Sequence, residues 1–173
     1  MEPTPMFSPK RISFAVALAM LVAATAPAPV SAALPAGQIA PAFSTQAVLG
    51  GTQFEFRLAA ALAKGPVVLY FFPGAYTSGC TVEAHNFSEA SAQFNAMGAT
   101  VIGLSHDPIE KLSRFSVTEC RNKFAVGIAS DKIMADYKVK LPIIAMTNRT
   151  SYVIAPNGKI LLLNGWQVRL EWH

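Results

Sequence analysis

Hydrophobic residues recur along this chain in two alternating rhythms. Val67-Val68-Leu69-Tyr70-Phe71-Phe72 runs without a polar interruption, the pattern of a central strand buried on both faces. From Thr81 to Met97 the apolar residues Val82, Phe87, Ala90, Phe94 and Met97 return mostly every three or four positions. That spacing predicts one face of a single helix, with Gly98 closing it. Thr100 to Ser105 reads as the next strand. Asp107, Pro108 and Glu110 then mark a helix start, with an acid at the cap, proline at the first turn and an acid at the third position. Ile109, Leu112 and Phe115 place that helix's apolar face.

On either side of this centre the pattern is shorter. Leu34 to Phe43 is extended and carries Pro35 and Pro41. Ser44 to Arg57 predicts a β-hairpin turning at Gly50-Gly51, with Phe54 and Phe56 on one face. Leu58 to Lys64 is alanine-rich and reads as one or two helical turns, broken by Gly65-Pro66. Phe124 to Ile128 is a third short strand, and Ser130-Asp131 caps a short helix through Tyr137. Leu141 to Arg149 fits neither period. Thr150–Ile154 and Lys159–Leu163 are strands joined by the turn Pro156-Asn157-Gly158. Strand-helix-strand-helix-strand followed by a hairpin predicts an α/β fold with a central mixed sheet flanked by helices, plus the N-terminal hairpin.

Composition narrows the function. At 173 residues the chain fits one domain. Its hydrophobic share of 52% is high, and part of that excess lies in the first thirty-odd residues. There Lys10 and Arg11 precede the apolar run Ile12 to Ala24, and Val30-Ser31-Ala32 is a small-x-small site. The expectation is a secretory signal peptide over 1–32, cleaved after Ala32, ahead of a folded domain over 33–173. The apolar run falls short of the roughly 20 residues that span a bilayer. The expected product is therefore exported, to the periplasm in a Gram-negative cell, and free of the membrane after cleavage. Its 12 basic against 9 acidic residues form no basic run or aromatic-interleaved patch, which excludes nucleic acid as a partner.

Two cysteines remain for chemistry, Cys80 and Cys120. In an exported protein they could form a structural disulfide. The setting of Cys80 suggests something else. In Phe72-Pro73-Gly74-Ala75-Tyr76-Thr77-Ser78-Gly79-Cys80, a buried strand delivers a thiol to the first turn of a helix. Backbone N–H groups there lack intrahelical partners and the dipole is positive, which favours a thiolate. Cys120 stands near the end of the helix begun at Asp107, beside Arg121 and Lys123. His85 and His106 show no ligand spacing with Cys80, so no metal and no cofactor is expected.

Pro73, Thr77 and Cys80 at P-x-x-x-T-x-x-C spacing, with Glu83 three residues on, resemble the active-site signature of the peroxiredoxins, thiol peroxidases on a thioredoxin-like fold. Phe72-Pro73, Gly79-Cys80-Thr81 and Glu83-Ala84 look most like the bacterioferritin-comigratory (PrxQ) branch. Arg149 to Ile154 with Pro156-Asn157-Gly158-Lys159-Ile160 resembles the family's arginine-bearing strand and hairpin. The likeness runs from about Leu34 to Leu161. It implies that Cys80 attacks the peroxide and becomes a sulfenic acid, and that Arg149 holds positive charge beside the sulfur. It further implies that Thr77 bonds to the peroxide and the thiolate, Pro73 shields the sulfur, and Glu83 orients Arg149. Hydrogen peroxide and organic hydroperoxides are the implied substrates. A thioredoxin-like or low-molecular-weight thiol is the implied reductant, and the expected assembly is a monomer or weak homodimer.

The chain departs from that family at two places. His85 occupies the position, five residues after Cys80, where many PrxQ-type proteins keep a resolving cysteine. Cys120 is then the candidate resolving thiol, with a one-cysteine enzyme reduced by an external thiol as the alternative. After Leu161, Asn164 to His173 does not resemble the family's last helix and is too short for it. Two other functions share these features. One is an exported thioredoxin-like thiol-disulfide oxidoreductase, though the chain has no C-x-x-C pair and no proline directly before Thr150. The other is a redox-inert binding module stapled by Cys80–Cys120.

Overall fold

The structure is a computed structural model that describes residues 33–164. The expected signal segment 1–32 and the divergent tail 165–173 lie outside the described residues.

The N-terminal hairpin forms as β1 (Ser44–Leu49) and β2 (Thr52–Arg57). Its turn needs left-handed backbone at both central positions, supplied by Gly50 at φ 55° and Gly51 at φ 82°. Phe56 is buried, whereas Phe54 on the same face is 39% exposed because β2 is the edge strand. Helix α1 (Leu58–Leu62) leads to β3 (Val67–Phe71), every residue of which is buried.

That uniform burial has a simple cause. Val67, Leu69 and Phe71 join one apolar layer with Ile102, Leu104, Tyr137 and Tyr152, while Val68, Tyr70 and Phe72 join a second with Phe87, Phe115 and Phe124. A strand packed on both faces has no place for a polar side chain.

The segment read as one helix divides into α2 (Ser78–Glu89) and α3 (Ser91–Ala96). Ala90, at ψ −4°, ends the first and starts the second, and its carbonyl accepts from Gln93 and Phe94. Ser88 and Ser91 flank this junction, residue types that weaken a helix interior. The buried face is Cys80, Ala84, Phe87 and Phe94, whereas Val82 and Met97 of the expected stripe are exposed.

After β4 (Thr100–Ser105) comes α4 (Ile109–Thr118), with Pro108 at the cap position. Asp107 therefore does not cap the helix; its carboxylate turns back toward the loop after β3. β5 (Ala125–Ile128) precedes α5 (Asp131–Asp136), where Ser130 Oγ accepts from the Ile133 N–H as expected. The stretch that fitted neither period is a loop closed by a Lys140–Thr147 bridge. β6 (Thr150–Ile154) and β7 (Ile160–Asn164) complete the sheet.

The seven strands stand in the order β2-β1-β5-β4-β3-β6-β7. β3, β4 and β5 are parallel; β6 runs antiparallel to β3, and β1 antiparallel to β5. The sheet is mixed as expected, and the N-terminal hairpin extends it instead of standing apart. No described helix is long and apolar enough to cross a membrane.

Candidate active site

Strand β3 releases the chain at its parallel end, where the Phe72 N–H still reaches the Leu104 carbonyl at 3.0 Å. Pro73 then turns the backbone away from the sheet. Tyr76 follows with φ 66°, a left-handed conformation rare for a residue with a side chain. Its ring meets Phe115 edge-on at 5.3 Å, and its hydroxyl pairs with Thr118 Oγ1 at 3.2 Å. The Thr77 hydroxyl donates to the Gly74 carbonyl at 3.1 Å and makes no cap bond. Its proton is thus directed into the loop in this structure, not at the sulfur.

Thr77 is the cap position of α2, so Cys80 is the third helical residue. The first helical bond runs from Thr81 N to Thr77 O at 2.9 Å. The N–H groups before it have no intrahelical acceptor and lie at the positive end of the helix. Cys80 itself is 1% exposed, although Thr77, Ser78 and Gly79 beside it are open to solvent.

Among the described residues the sulfur has one side-chain donor. Arg149 Nη2 donates to Cys80 Sγ at 3.2 Å, and Nη1 of the same guanidinium donates to Glu83 Oε2. Sheet register brings Arg149 there: β3 and β6 pair with Phe71 opposite Thr150, which sets the preceding residue beside the strand's exit. Glu83 lies three residues beyond Cys80 on the same helix face. Gly79 leaves space for the guanidinium, since a Cβ there would lie 3.1 Å from Arg149 Nη2.

The electrostatics follow from burial and pairing. Burial raises the Glu83 carboxyl above its ordinary value, and the Arg149 charge only partly offsets this. For Arg149, burial works against the cation, yet Glu83 and Cys80 together outweigh it and raise the group. The guanidinium is therefore a fixed positive charge held against the sulfur.

Cys120 lies two residues past α4, fully buried, in the same apolar layer as Cys80. Burial first, and Glu119 second, push its thiol far up. Both thiols are free, so the structure contains no Cys80–Cys120 staple. The structure brings Cys80, Arg149 and Glu83 together, with Pro73 and Thr77 in the adjoining loop, and sets Cys120 in the same core layer, where among the described residues it makes no side-chain hydrogen bond to them.

His85 and His106 turn elsewhere. His85 Nε2 pairs with Glu119 Oε2 at 2.9 Å, tying α2 to the end of α4. His106 Nδ1 meets the Ala129 carbonyl at 3.0 Å. Among the described residues no three His, Cys, Asp or Glu side chains converge as a metal site. Two features escaped the sequence reading: the space at Gly79, and Asp107, which accepts from the Ala75 N–H at 2.6 Å. The only signal for Asp107 was an acid before Pro108, which resembles an ordinary cap.

Comparisons with known proteins agree with this geometry. Residues 36–162 match the family model described as the AhpC/TSA family. Peroxiredoxin Bcp of Escherichia coli K12 is 31% identical over 137 residues, covering 73% of this chain and 83% of its own. The crystal structure of peroxidoxin BcpB from Mycobacterium tuberculosis superposes with a TM-score of 0.66 at 30% identity, covering 76% of this chain and 85% of that one. AhpC of Enterococcus faecalis shares the fold, with a TM-score of 0.69 at 18% identity over 80% of this chain and 84% of its own.

Proposed function

The chain belongs to the AhpC/TSA family, the thiol peroxidases known as peroxiredoxins, and from that premise we propose that Cys80 is its peroxidatic thiol. The observation that carries this assignment is the Arg149 guanidinium, shared between the Cys80 sulfur and Glu83. A guanidinium at hydrogen-bond distance from the sulfur is placed to meet the negative charge that develops on the peroxide oxygens as they react there.

In this reading the Cys80 thiolate attacks the terminal peroxide oxygen. An S–O bond forms as the O–O bond breaks, and the departing oxygen takes a proton to leave as water or an alcohol. Cys80 is oxidised to sulfenic acid and the peroxide is reduced by two electrons. Negative charge spreads onto the oxygens in the transition state, where Arg149 and the free N–H groups of the first turn of α2 stabilise it. Thr77, its own proton given to Gly74, offers lone pairs to the peroxide hydrogen. Pro73 screens the sulfur from water, and Glu83 keeps the guanidinium aimed.

Cys120 then resolves the sulfenic acid. Its thiol loses a proton, attacks the Cys80 sulfur and displaces hydroxide, which leaves as water with that proton; a disulfide remains. A thioredoxin-like protein or a small thiol supplies the two electrons that restore both cysteines. Because Cys120 is buried and its thiol held protonated, resolution requires α2 to open locally. The substrates in this reading are hydrogen peroxide and organic hydroperoxides. The site of action is outside the cytoplasm, after removal of residues 1–32, with the domain 33–173 as a monomer or weak homodimer.

Rapid-mixing oxidation with one equivalent of hydrogen peroxide or an alkyl hydroperoxide tests the assignment. Fast loss of the Cys80 thiol in both arms is expected; oxidation no faster than that of a free cysteine would overturn it. Recovery of a form lacking residues 1–32 from the periplasmic fraction tests export.

A further inference from the structure

One side chain next to the Cys80 loop is bonded on every side yet has no part in the reaction described above. Asp107 Oδ2 accepts from the Ala75 N–H at 2.6 Å and from Ser105 Oγ at 2.9 Å, while its Oδ1 accepts from Lys111 Nζ at 2.8 Å. Ser105 ends β4 and Lys111 lies in the first turn of α4. The carboxylate is thus braced by the sheet on one side and a helix on the other, and its free direction is spent on the loop.

The bond falls where the loop is hardest to hold. Ala75 is buried, and the next residue, Tyr76, takes the left-handed conformation, which a residue with a side chain keeps only when its surroundings impose it. Phe115 and Thr118 of α4 hold the Tyr76 side chain, while Asp107 holds the backbone just before it. Thr77 and the N-terminus of α2 follow directly. Their direction, and with it the position of Cys80, depends on this turn.

We propose that Asp107 is a positioning residue for the peroxidase reaction. By gripping the Ala75 N–H it keeps the Pro73–Thr77 turn in its left-handed course, and so fixes where Thr77, the first turn of α2 and Cys80 stand around an incoming peroxide. Lys111 and Ser105 aim the carboxylate. The inference rests on Cys80 being the peroxidatic thiol.

The test compares two reactions of the same sulfur in the full chain: single-turnover oxidation by hydrogen peroxide, and alkylation by iodoacetamide read at Cys80 by mass spectrometry. Only the first needs Thr77 and the N–H groups in register with the substrate. Asp107→Ala is expected to slow oxidation about ten- to a hundredfold, the scale of an ångström-sized misplacement, with alkylation unchanged. Asp107→Asn keeps an oxygen for Ala75 but not the charge, and should recover to within about threefold of wild type. Equal loss in both reactions, or wild-type oxidation in Asp107→Ala, would overturn the proposal. Should Asp107→Ala fail to fold, Lys111→Met, which strips the carboxylate of its helix-side partner, carries the test: slower oxidation with unchanged alkylation is expected, and wild-type oxidation overturns the proposal. Cys80→Ser is the control. Loss of its peroxide reaction establishes that the rates report Cys80; persistence overturns the Cys80 assignment and the positioning role with it.

Discussion

Arg149 stands 3.2 Å from the Cys80 sulfur although 69 positions separate the two residues in the chain. The antiparallel pairing of β3 with β6 closes that gap, with Phe71 opposite Thr150. Both residues thus flank the same end of one strand pair: β3 exits there into the loop that leads to the thiol, and β6 is entered there from the arginine.

Removing the guanidinium tests what it contributes. Arg149→Ala is expected to slow Cys80 oxidation by about 10²- to 10³-fold, the usual effect of deleting one donor aimed at developing negative charge. Arg149→Lys keeps the charge but loses the fork that reaches the sulfur and Glu83 together, and should fall between the two. Single-turnover rates with hydrogen peroxide measure both; an Arg149→Ala rate near wild type would remove Arg149 from the mechanism.

Glu83 has a pH signature with a definite sign. Its carboxyl is raised above the ordinary 4.5 by burial, so the folded chain holds this proton more tightly than the unfolded chain does. Its contribution to stability is therefore complete below about 4.5 and declines as pH rises through the raised folded value. Glu83→Gln cannot ionise. The melting temperature of Glu83→Gln minus that of wild type should grow as pH rises above 4.5 and then level off. Its oxidation rate should fall, because a neutral amide holds Arg149 less firmly. A difference that shrinks with pH contradicts the assignment.

The central fold was legible because its signals are local. The unbroken apolar run at Val67–Phe72, the Gly50-Gly51 turn and the Asn157-Gly158 turn each state a structure within a few residues. The break at Ala90 was not legible, because Phe87 and Phe94 keep helical spacing on both sides of it. At the site, Cys80, Arg149 and Glu83 could be named from the resemblance, whereas Asp107 could not be given its role. Its bond to Ala75 spans 32 positions, and an acid before Pro108 is equally consistent with a cap. Local chemistry shows in sequence; the partner of a polar side chain depends on which loops the sheet brings together.

The His85–Glu119 pair should govern the second half of the cycle. It ties the helix that carries Cys80 to the residue next to Cys120, so α2 cannot open without breaking it. His85→Ala is expected to speed formation of the Cys80–Cys120 disulfide by up to about fivefold, the factor set by a partly exposed pair of about 1 kcal/mol. The preceding peroxide step should be unchanged. Quench-flow with mass analysis separates the two steps. Cys120→Ser should instead accumulate a sulfenic acid that dimedone traps, and failure to find the disulfide in wild type would leave the one-cysteine cycle.

Gly79 offers a substitution in which stability and activity should move in opposite directions. It lies within α2, in ordinary helical backbone, where alanine is favoured over glycine by roughly 0.5–1 kcal/mol. Yet a Cβ at this position would sit 3.1 Å from Arg149 Nη2, tight enough to shift the guanidinium by a few tenths of an ångström. Nη2 is the nitrogen that donates to the sulfur. Gly79→Ala is therefore expected to melt at or above the wild-type temperature while oxidising about tenfold more slowly with hydrogen peroxide, a loss in keeping with sub-ångström misplacement of a reacting group's partner. Thermal melts and single-turnover rates on the same preparation decide it. A variant that is both more stable and as fast as wild type would show that the guanidinium has slack at the sulfur, and that the glycine serves only the backbone.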